Sequence, residues 1–183
     1  DIAVSAMTVM SSIMQMITLP ILGITQGAQP ITSYNYGAKN FDRVRKSFKL
    51  CLISCLAFTL VATSACLMFP AFFVKIFNSD PQLIEFTSWA MRIYFVGMLV
   101  FGIQIACQQT FLALGKAKIS LILAMLRKII LLIPLIFILP TFMNDKLFAV
   151  LLAEPIADIL AVISTAICFY NFYKKNLSEG KTK

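Results

Sequence analysis

Five long apolar runs alternate with short polar segments along the chain, and this alternation predicts its architecture. Each run is about 20 residues or longer, enough for an α-helix to cross a hydrocarbon core of about 30 Å. The predicted spans are 2–25, 50–74, 88–114, 119–139 and 147–173. The sequence therefore predicts an all-α membrane protein, a polytopic helical bundle of five transmembrane helices.

The composition agrees with a membrane protein. The chain is 60% hydrophobic and 13% charged, whereas soluble domains carry about 25% charged residues. The net charge of +8 could indicate a nucleic-acid partner. However, the bases lie mainly in short segments between spans and in the tail, where they set membrane topology. We therefore expect the lipid bilayer as a partner and no nucleic acid.

Basic residues are concentrated in predicted loops on one side of the membrane. The segment 26–49, read as a loop, has one acid, Asp42, and five bases. Short loops rich in Lys and Arg stay in the cytoplasm. The turn 115–118 and the tail 174–183 carry the same bias. The pattern predicts a multi-pass protein of the plasma membrane, the inner membrane in bacteria, with a cytoplasmic loop 26–49 and a cytoplasmic C-terminus.

Opposite charges occur at matching depths in the fourth and fifth spans. Arg127 lies roughly 13 Å beyond Lys118, and Asp158 lies roughly 18 Å from Lys146 on the other side. In a core about 30 Å thick these depths nearly coincide. Glu154 lies one helical turn from Asp158, so the two acids can share Arg127 or its neighbour.

Two interpretations of this charged cluster stay open. Ionisable residues within hydrocarbon usually face the bundle interior and pair with one another. The group of Arg127, Glu154 and Asp158 is either a buried ion pair that fixes packing or part of a path for a cation or proton.

Polar amides mark candidate cavity-lining positions. Gln15 lies in the first span, and Gln104 and Gln108 lie four residues apart in the third. Amides inside an apolar span need hydrogen-bond partners. They either bond neighbouring helices or line a polar cavity.

Catalytic chemistry finds little support in the sequence. The chain contains no histidine, no Walker A loop and no Gly-x-Ser-x-Gly elbow. The five cysteines lie in apolar spans without a Cys-x-x-Cys pair, which favours small buried thiols over metal ligands. We therefore predict no enzyme, no catalytic residue, and no cofactor or metal site.

Four stretches of the chain carry specific motifs. The segment 26–39 contains Gln26, Gly27, Pro30, Tyr34, Asn35, Tyr36 and Gly37. QTFLALGKAK lies at 109–118, prolines follow Leu126-Arg127-Lys128, and LAEPIAD lies at 152–158. In this order the stretches resemble the multidrug and toxin extrusion (MATE) transporters, in particular the bacterial NorM-, MepA- and DinF-like branch. They are similar to that family's loop after helix eight, its turn between helices ten and eleven, its helix eleven and the start of its helix twelve.

The resemblance implies a twelve-helix antiporter of two lobes that exports small organic, often cationic, compounds in exchange for Na⁺ or H⁺. It implies that this chain is a fragment forming most of the C-terminal lobe, and that the N-terminal lobe of the same transporter is its partner. Lys128 stands where the family usually has glutamine. The third span has glutamines, whereas some members place an ion-binding aspartate there.

Two other functions stay open. A flippase of the same superfamily, moving lipid-linked oligosaccharide or another amphiphile, shares the architecture. A truncated membrane subunit without transport activity is the second alternative.

Overall fold

The computed structural model describes residues 2–177 and is helical almost throughout, with no strand in that range. One 3₁₀ segment, Phe95–Val100, and one π-helical segment, Leu126–Leu132, interrupt the regular helices. The α-helices are α1 Ile2–Gly37, α2 Phe41–Met68, α3 Pro70–Lys75, α4 Pro81–Tyr94, α5 Phe101–Ala113, α6 Ala117–Met125, α7 Ile133–Phe142 and α8 Lys146–Asn176.

Five helical stretches are long and apolar enough to cross a membrane. They are Ile2–Gly37, Phe41–Met68, Pro81–Ala113, Ala117–Phe142 and Lys146–Asn176. The third combines α4, the 3₁₀ segment and α5, and the fourth combines α6, the π-helical segment and α7. The prediction of an all-α protein with five transmembrane helices is confirmed.

The prediction of a loop over residues 26–49 is wrong. Helix α1 continues to Gly37 and α2 begins at Phe41, so only three residues separate them. Helix α1 has 36 residues, a length of roughly 54 Å, which exceeds the hydrocarbon core. The apolar residues of α1 mark only the part that lies in lipid. The polar residues that follow continue the backbone hydrogen bonds of the helix, so the helix extends to Gly37, beyond the apolar stretch.

The two basic turns have the same backbone geometry. The backbone N–H of Lys39, whose φ is 58°, donates a hydrogen bond to the Tyr36 carbonyl, and the backbone N–H of Asn40 donates to the Asn35 carbonyl at 2.8 Å. Gly115, with φ of 72°, occupies the same left-handed position after α5. Both are Schellman turns, which satisfy the last carbonyls of a helix.

Prolines and caps explain the other departures from the predicted span boundaries. The second span is not continuous over 50–74: α2 ends at Met68, and α3 begins at Pro70, a residue that is disfavoured in a helix interior and suited to the first helical position. The third span begins earlier than residue 88, since α4 starts at Pro81. The Asp80 carboxylate caps α4 by accepting a hydrogen bond from the backbone N–H of Gln82 at 3.0 Å, and the Asp145 carboxylate caps α8 in the same way.

The predicted tail 174–183 also needs correction at its start. Helix α8 continues to Asn176, and Leu177 is fully buried against the ends of neighbouring helices. The Leu177 carbonyl accepts a hydrogen bond from the Arg45 guanidinium at 2.6 Å. Residues 178–183 lie outside the described residues.

The core lies where α1, α2, α4 and α5 meet. Met10, Ile13, Cys55, Met91 and Phe95 are among its buried side chains. Helix α8 packs against α4, α5 and the 3₁₀ segment. Together these helices form one packed unit.

The helix Ala117–Phe142 is peripheral. It packs mainly on α8 and, at its start, on α5. Within it only Ser120 and Leu123 are buried. The charged side chains described below belong to this lightly buried helix and to its neighbour.

Gly102 permits a close approach of α5 to α2, and it provides a test of the packing. A Cβ atom there would lie 2.7 Å from both the Cys55 carbonyl oxygen and Thr59 Oγ1. Because backbone must move to admit it, we expect Gly102→Ala to lower the free energy of unfolding by about 1–3 kcal/mol. Thermal unfolding in detergent measures the change.

Gly23→Ala is the matched control for Gly102→Ala. Gly23 lies in α1, and an added Cβ would meet no atom within 4 Å. Alanine is favoured over glycine in a helix by roughly 0.5–1 kcal/mol, so the control should be neutral or stabilising. Equal destabilisation by both substitutions would contradict close packing at Gly102.

Candidate charged site between two membrane helices

Two acids on α8 form one side of the site. Glu154 and Asp158 lie one turn apart, so they share a helix face, and their side chains are 6% and 1% exposed. Pro155 lies between them and removes one backbone N–H from the helix. This face of α8 is turned towards the 3₁₀ segment.

Gly97 in the 3₁₀ segment allows α8 to come this close. A Cβ atom at residue 97 would lie 2.8 Å from both Asp158 Cβ and the Pro155 Cα, and 3.2 Å from Asp158 Oδ2. Any larger residue would push α8 away. Small residues at helix contacts of membrane proteins serve this purpose.

Two bases on the π-helical segment form the other side. Arg127 Nε lies 2.5 Å from Asp158 Oδ1, and Arg127 Nη2 lies 3.1 Å from Glu154 Oε1. Lys128 Nζ lies 3.0 Å from the same Glu154 oxygen. The predicted pairing of these residues is thus present in the structure.

The π geometry explains how two consecutive residues reach one acid. A π turn holds more residues than an α turn, so successive side chains are separated by a smaller angle. Pro134 follows the segment, and its missing N–H favours a local π adjustment in a membrane helix. π-Helical insertions of this kind occur often at functional sites.

The two bases differ in environment. The Arg127 side chain is 11% exposed, and its guanidinium carbon lies 4.4 Å from the centroid of the Phe101 ring. This is a cation–π contact, which is strengthened by the absence of water. The Lys128 side chain is 54% exposed, so its ammonium reaches the acid from the surface.

One acidic oxygen of the cluster lacks a donor. Asp158 Oδ2 is buried without a hydrogen-bond partner among the residues described. The formal charges of Arg127, Lys128, Glu154 and Asp158 sum to zero. A neutral group with one unsatisfied carboxylate oxygen can accept a proton, or a cation if one of its own bases withdraws.

The amide candidates lie apart from this cluster. Gln104 is buried and Gln108 is half-buried on α5, with Gln104 Oε1 and Gln108 Nε2 unpartnered in the part of the chain described. Gln15 is exposed on α1. The hydrogen bonds of the described residues do not join these amides to the acids, and their cavity-lining role stays a prediction.

The residues of the 26–37 motif lie at the polar end of α1. Asn35 is buried and donates to the Ile31 carbonyl at 2.8 Å, whereas Tyr34 is 77% exposed. The Tyr36 ring contacts Phe41 edge-on across the turn. Gln26, Gly27, Pro30 and Gly37 are exposed helical residues.

Sequence reasoning missed several residues that hold this unit together. Gly97 and Phe101 complete the charged site, and the glycine inside an apolar span was the available signal. Ser33 Oγ donates to the Ala113 carbonyl at 2.8 Å, and the Thr32 and Ser47 hydroxyls lie 2.9 Å apart. These bonds join α1 to α5 and to α2.

Arg127 and Lys128 provide a matched pair of substitutions. Arg127→Gln leaves two buried acids without their main partner, which costs about 3–5 kcal/mol for a broken buried pair. Lys128→Gln removes a half-exposed partner, and we expect a loss of less than about 1 kcal/mol. Unfolding in detergent, followed by circular dichroism, measures both. Similar losses for the two variants would contradict the difference in burial.

Comparisons with known proteins identify the relatives of the chain. The MatE family model matches residues 1–138, which include Gly97, Phe101 and both bases of the site. The chain is 22% identical over 162 residues to the multidrug export protein MepA of Staphylococcus haemolyticus (strain JCSC1435), covering 87% of the chain and 35% of MepA. For MepA of Staphylococcus aureus (strain NCTC 8325 / PS 47), identity is 23%, with 89% and 36% covered.

Solved structures share the fold. The MATE multidrug transporter DinF-BH is 36% identical with a TM-score of 0.81, covering 90% of the chain and 36% of DinF-BH. An outward-facing MATE family transporter of the MOP superfamily is 17% identical with a TM-score of 0.86, covering 94% and 39%. An inward-facing form is 18% identical with a TM-score of 0.84, covering 94% and 40%.

The chain therefore spans about 35–40% of the length of the relatives that it matches. Its five membrane-crossing helices, their order and the family match over most of its length agree with one another. The chain is a multi-pass membrane protein that belongs to the MatE family of transporters.

Proposed function

We propose that these five helices form most of one lobe of a multidrug exporter in the bacterial plasma membrane, with the basic turns and the C-terminus in the cytoplasm. The transporter would export small organic, mainly cationic, compounds by antiport with Na⁺ or H⁺. The second lobe would be the N-terminal part of the same transporter. The MatE family match over residues 1–138 is the observation that carries the proposal, and the buried pairing of Arg127 with Glu154 and Asp158 is the element that we propose for ion coupling.

The charge balance of the cluster suggests how it could couple ions to transport. Protonation of Asp158 would leave the group with a net positive charge, which is unfavourable in a low-dielectric interior. Withdrawal of the half-exposed Lys128 ammonium from Glu154, into a water-filled cavity between the two proposed lobes, would restore neutrality. The Lys128 ammonium contacts a Glu154 oxygen that could otherwise bind a coupling cation. In this proposal the ammonium and the coupling cation compete for Glu154.

Competition of this kind is what an antiporter needs. If two cations cannot occupy one carboxylate together, binding of one favours release of the other. Because the π-helical segment and α8 belong to adjacent helices, exchange at Glu154 also changes the contact between those helices. A local charge event could thus bias the position of the peripheral helix Ala117–Phe142.

Alternating access is the mechanism that we propose for the complete transporter. In transporters with repeated lobes, lobes rock as near-rigid bodies around a central site. The fold of this chain matches relatives described as inward-facing and as outward-facing, which supports a lobe that keeps its fold during the change. Antiport with Na⁺ or with H⁺ stays open.

Asp158→Asn tests the role of the cluster in transport. The amide keeps the shape of the side chain but neither exchanges a proton nor attracts a cation as a carboxylate does. We expect dye efflux by the full-length transporter to fall at least about tenfold, equivalent to about 1.4 kcal/mol. Dye transport in proteoliposomes is measured under a Na⁺ gradient and a pH gradient separately, per amount of folded protein.

Glu85→Gln is the matched control for Asp158→Asn. Glu85 is an exposed acid on α4, outside the cluster, so its neutralisation should leave efflux within roughly twofold of wild type, the range of a solvated surface charge. An Asp158→Asn protein that folds poorly yet retains its specific activity would show that the aspartate is structural.

The isolated chain tests whether a second lobe is required. Substrate translocation in alternating access needs two lobes that enclose a central site. We expect vesicles containing only this chain to accumulate no dye against a gradient, whereas vesicles of the full-length transporter do. Accumulation by the chain alone would contradict the proposed need for a second lobe and would favour a self-contained or oligomeric transporter.

A further inference from the structure

An open groove of about 450 Å³ runs between α1 and α2, and none of its lining residues belongs to the charged site. We call it the α1–α2 groove and define it by Ile24, Gly27 and Ile31 on α1, and Arg43, Lys46 and Leu50 on α2. The proposed transport mechanism does not use it. The lining residues are basic at the end near the α1–α2 turn and mainly apolar farther along the helices.

One end of the groove is basic. Arg43 and Lys46 lie three residues apart near the start of α2, close to the turn that joins it to α1. Both side chains belong to exposed residues. The nearby acid, Asp42, contacts Arg45 instead, and no acid is among the described residues that line the groove. This end therefore favours an anion.

The other end of the groove is uncharged and mainly apolar, although Ser54 also lines it. Leu50 lies one turn beyond Lys46 on the same face of α2, and Ile31 and Ile24 follow the same direction on the antiparallel α1. The distance from Arg43 to Leu50 is roughly 10 Å along the helix. A ligand that fits both ends has a negative head and an apolar chain.

Gly27 gives the groove its width. It faces open space, since a Cβ atom at residue 27 would meet no atom within 4 Å. Isoleucines at 24 and 31 flank it, so the middle of the groove is open and lined by apolar side chains. Cationic drugs are poor candidates for this site, because Arg43 and Lys46 would repel them.

We propose that the α1–α2 groove binds an anionic phospholipid of the membrane. Its phosphate would contact Arg43 and Lys46, and an acyl chain would lie along Gly27, Ile31 and Leu50. Basic pockets between membrane helices at the interface are suited to acidic lipid headgroups. This lipid site is separate from the charged site, because none of the residues that line the groove belongs to that site.

Photolabelling of the full-length protein in nanodiscs tests the proposal. The probe is phosphatidylglycerol with a photoactivatable acyl chain, compared with the same probe built on phosphatidylcholine, and labelled peptides are mapped by mass spectrometry. We expect phosphatidylglycerol to label peptides of α1 and α2 around residues 24–31 and 50. Equal labelling by both lipids would overturn the proposal, as would labelling confined to other helices.

The double variant Arg43→Gln with Lys46→Gln removes the basic end. Each basic side chain near an acidic lipid contributes about a fivefold gain in binding, so we expect a loss of labelling of about 25-fold. Lys116→Gln with Lys118→Gln is the matched control, because these bases lie in the other basic turn and outside the groove. A comparable loss in the control would overturn the assignment.

Two further arms keep the test decisive if the basic variant folds poorly. Gly27→Leu adds bulk inside the groove at a position where the first added atom, Cβ, meets no atom within 4 Å, and we expect about a tenfold loss of labelling, or about 1.4 kcal/mol. Retained labelling would overturn the proposal. Excess inorganic phosphate should leave labelling unchanged, and displacement by it would identify a free anion as the ligand instead of a lipid.

Discussion

The pairing of Arg127 with Glu154 and Asp158 is the interaction on which this part of the molecule depends. Ionised side chains are costly within a membrane, so each must meet an opposite charge. Here the bases come from one helix and the acids from the next, which fixes both the rotation and the height of one helix against the other. The π-helical segment, Pro155 and Gly97 are local irregularities that bring these groups into contact.

Two kinds of contact hold the helices together, and they differ in how much of each helix is buried. Helices α1, α2 and α5 share a buried core, and hydroxyls such as those of Thr32, Ser33 and Ser47 join them near the basic turns. The peripheral helix Ala117–Phe142 buries little, and its ion pairs to α8 are its main polar link within the described residues. That helix is therefore the element best suited to move.

Charge placement was readable from the sequence, whereas backbone detail was not. Counting residues from the flanking bases placed Arg127 and Asp158 at one depth, because helical rise is constant. The helix ends were misplaced, since hydropathy follows lipid contact and the polar end of α1 stays hydrogen-bonded to Gly37. The π-helical segment and the role of Gly97 arise from how two helices approach, which no single stretch of sequence encodes.

The two bases of the π-helical segment also affect how the chain inserts into the membrane. Arg127 and Lys128 leave the ribosome before Glu154 and Asp158, and each base near a helix centre disfavours entry into lipid by roughly 2.5–3.5 kcal/mol. The helix that carries them is otherwise strongly apolar. Pairing with the acids of α8 removes this cost, so the two helices are most stable in the bilayer as a hairpin whose charges are matched.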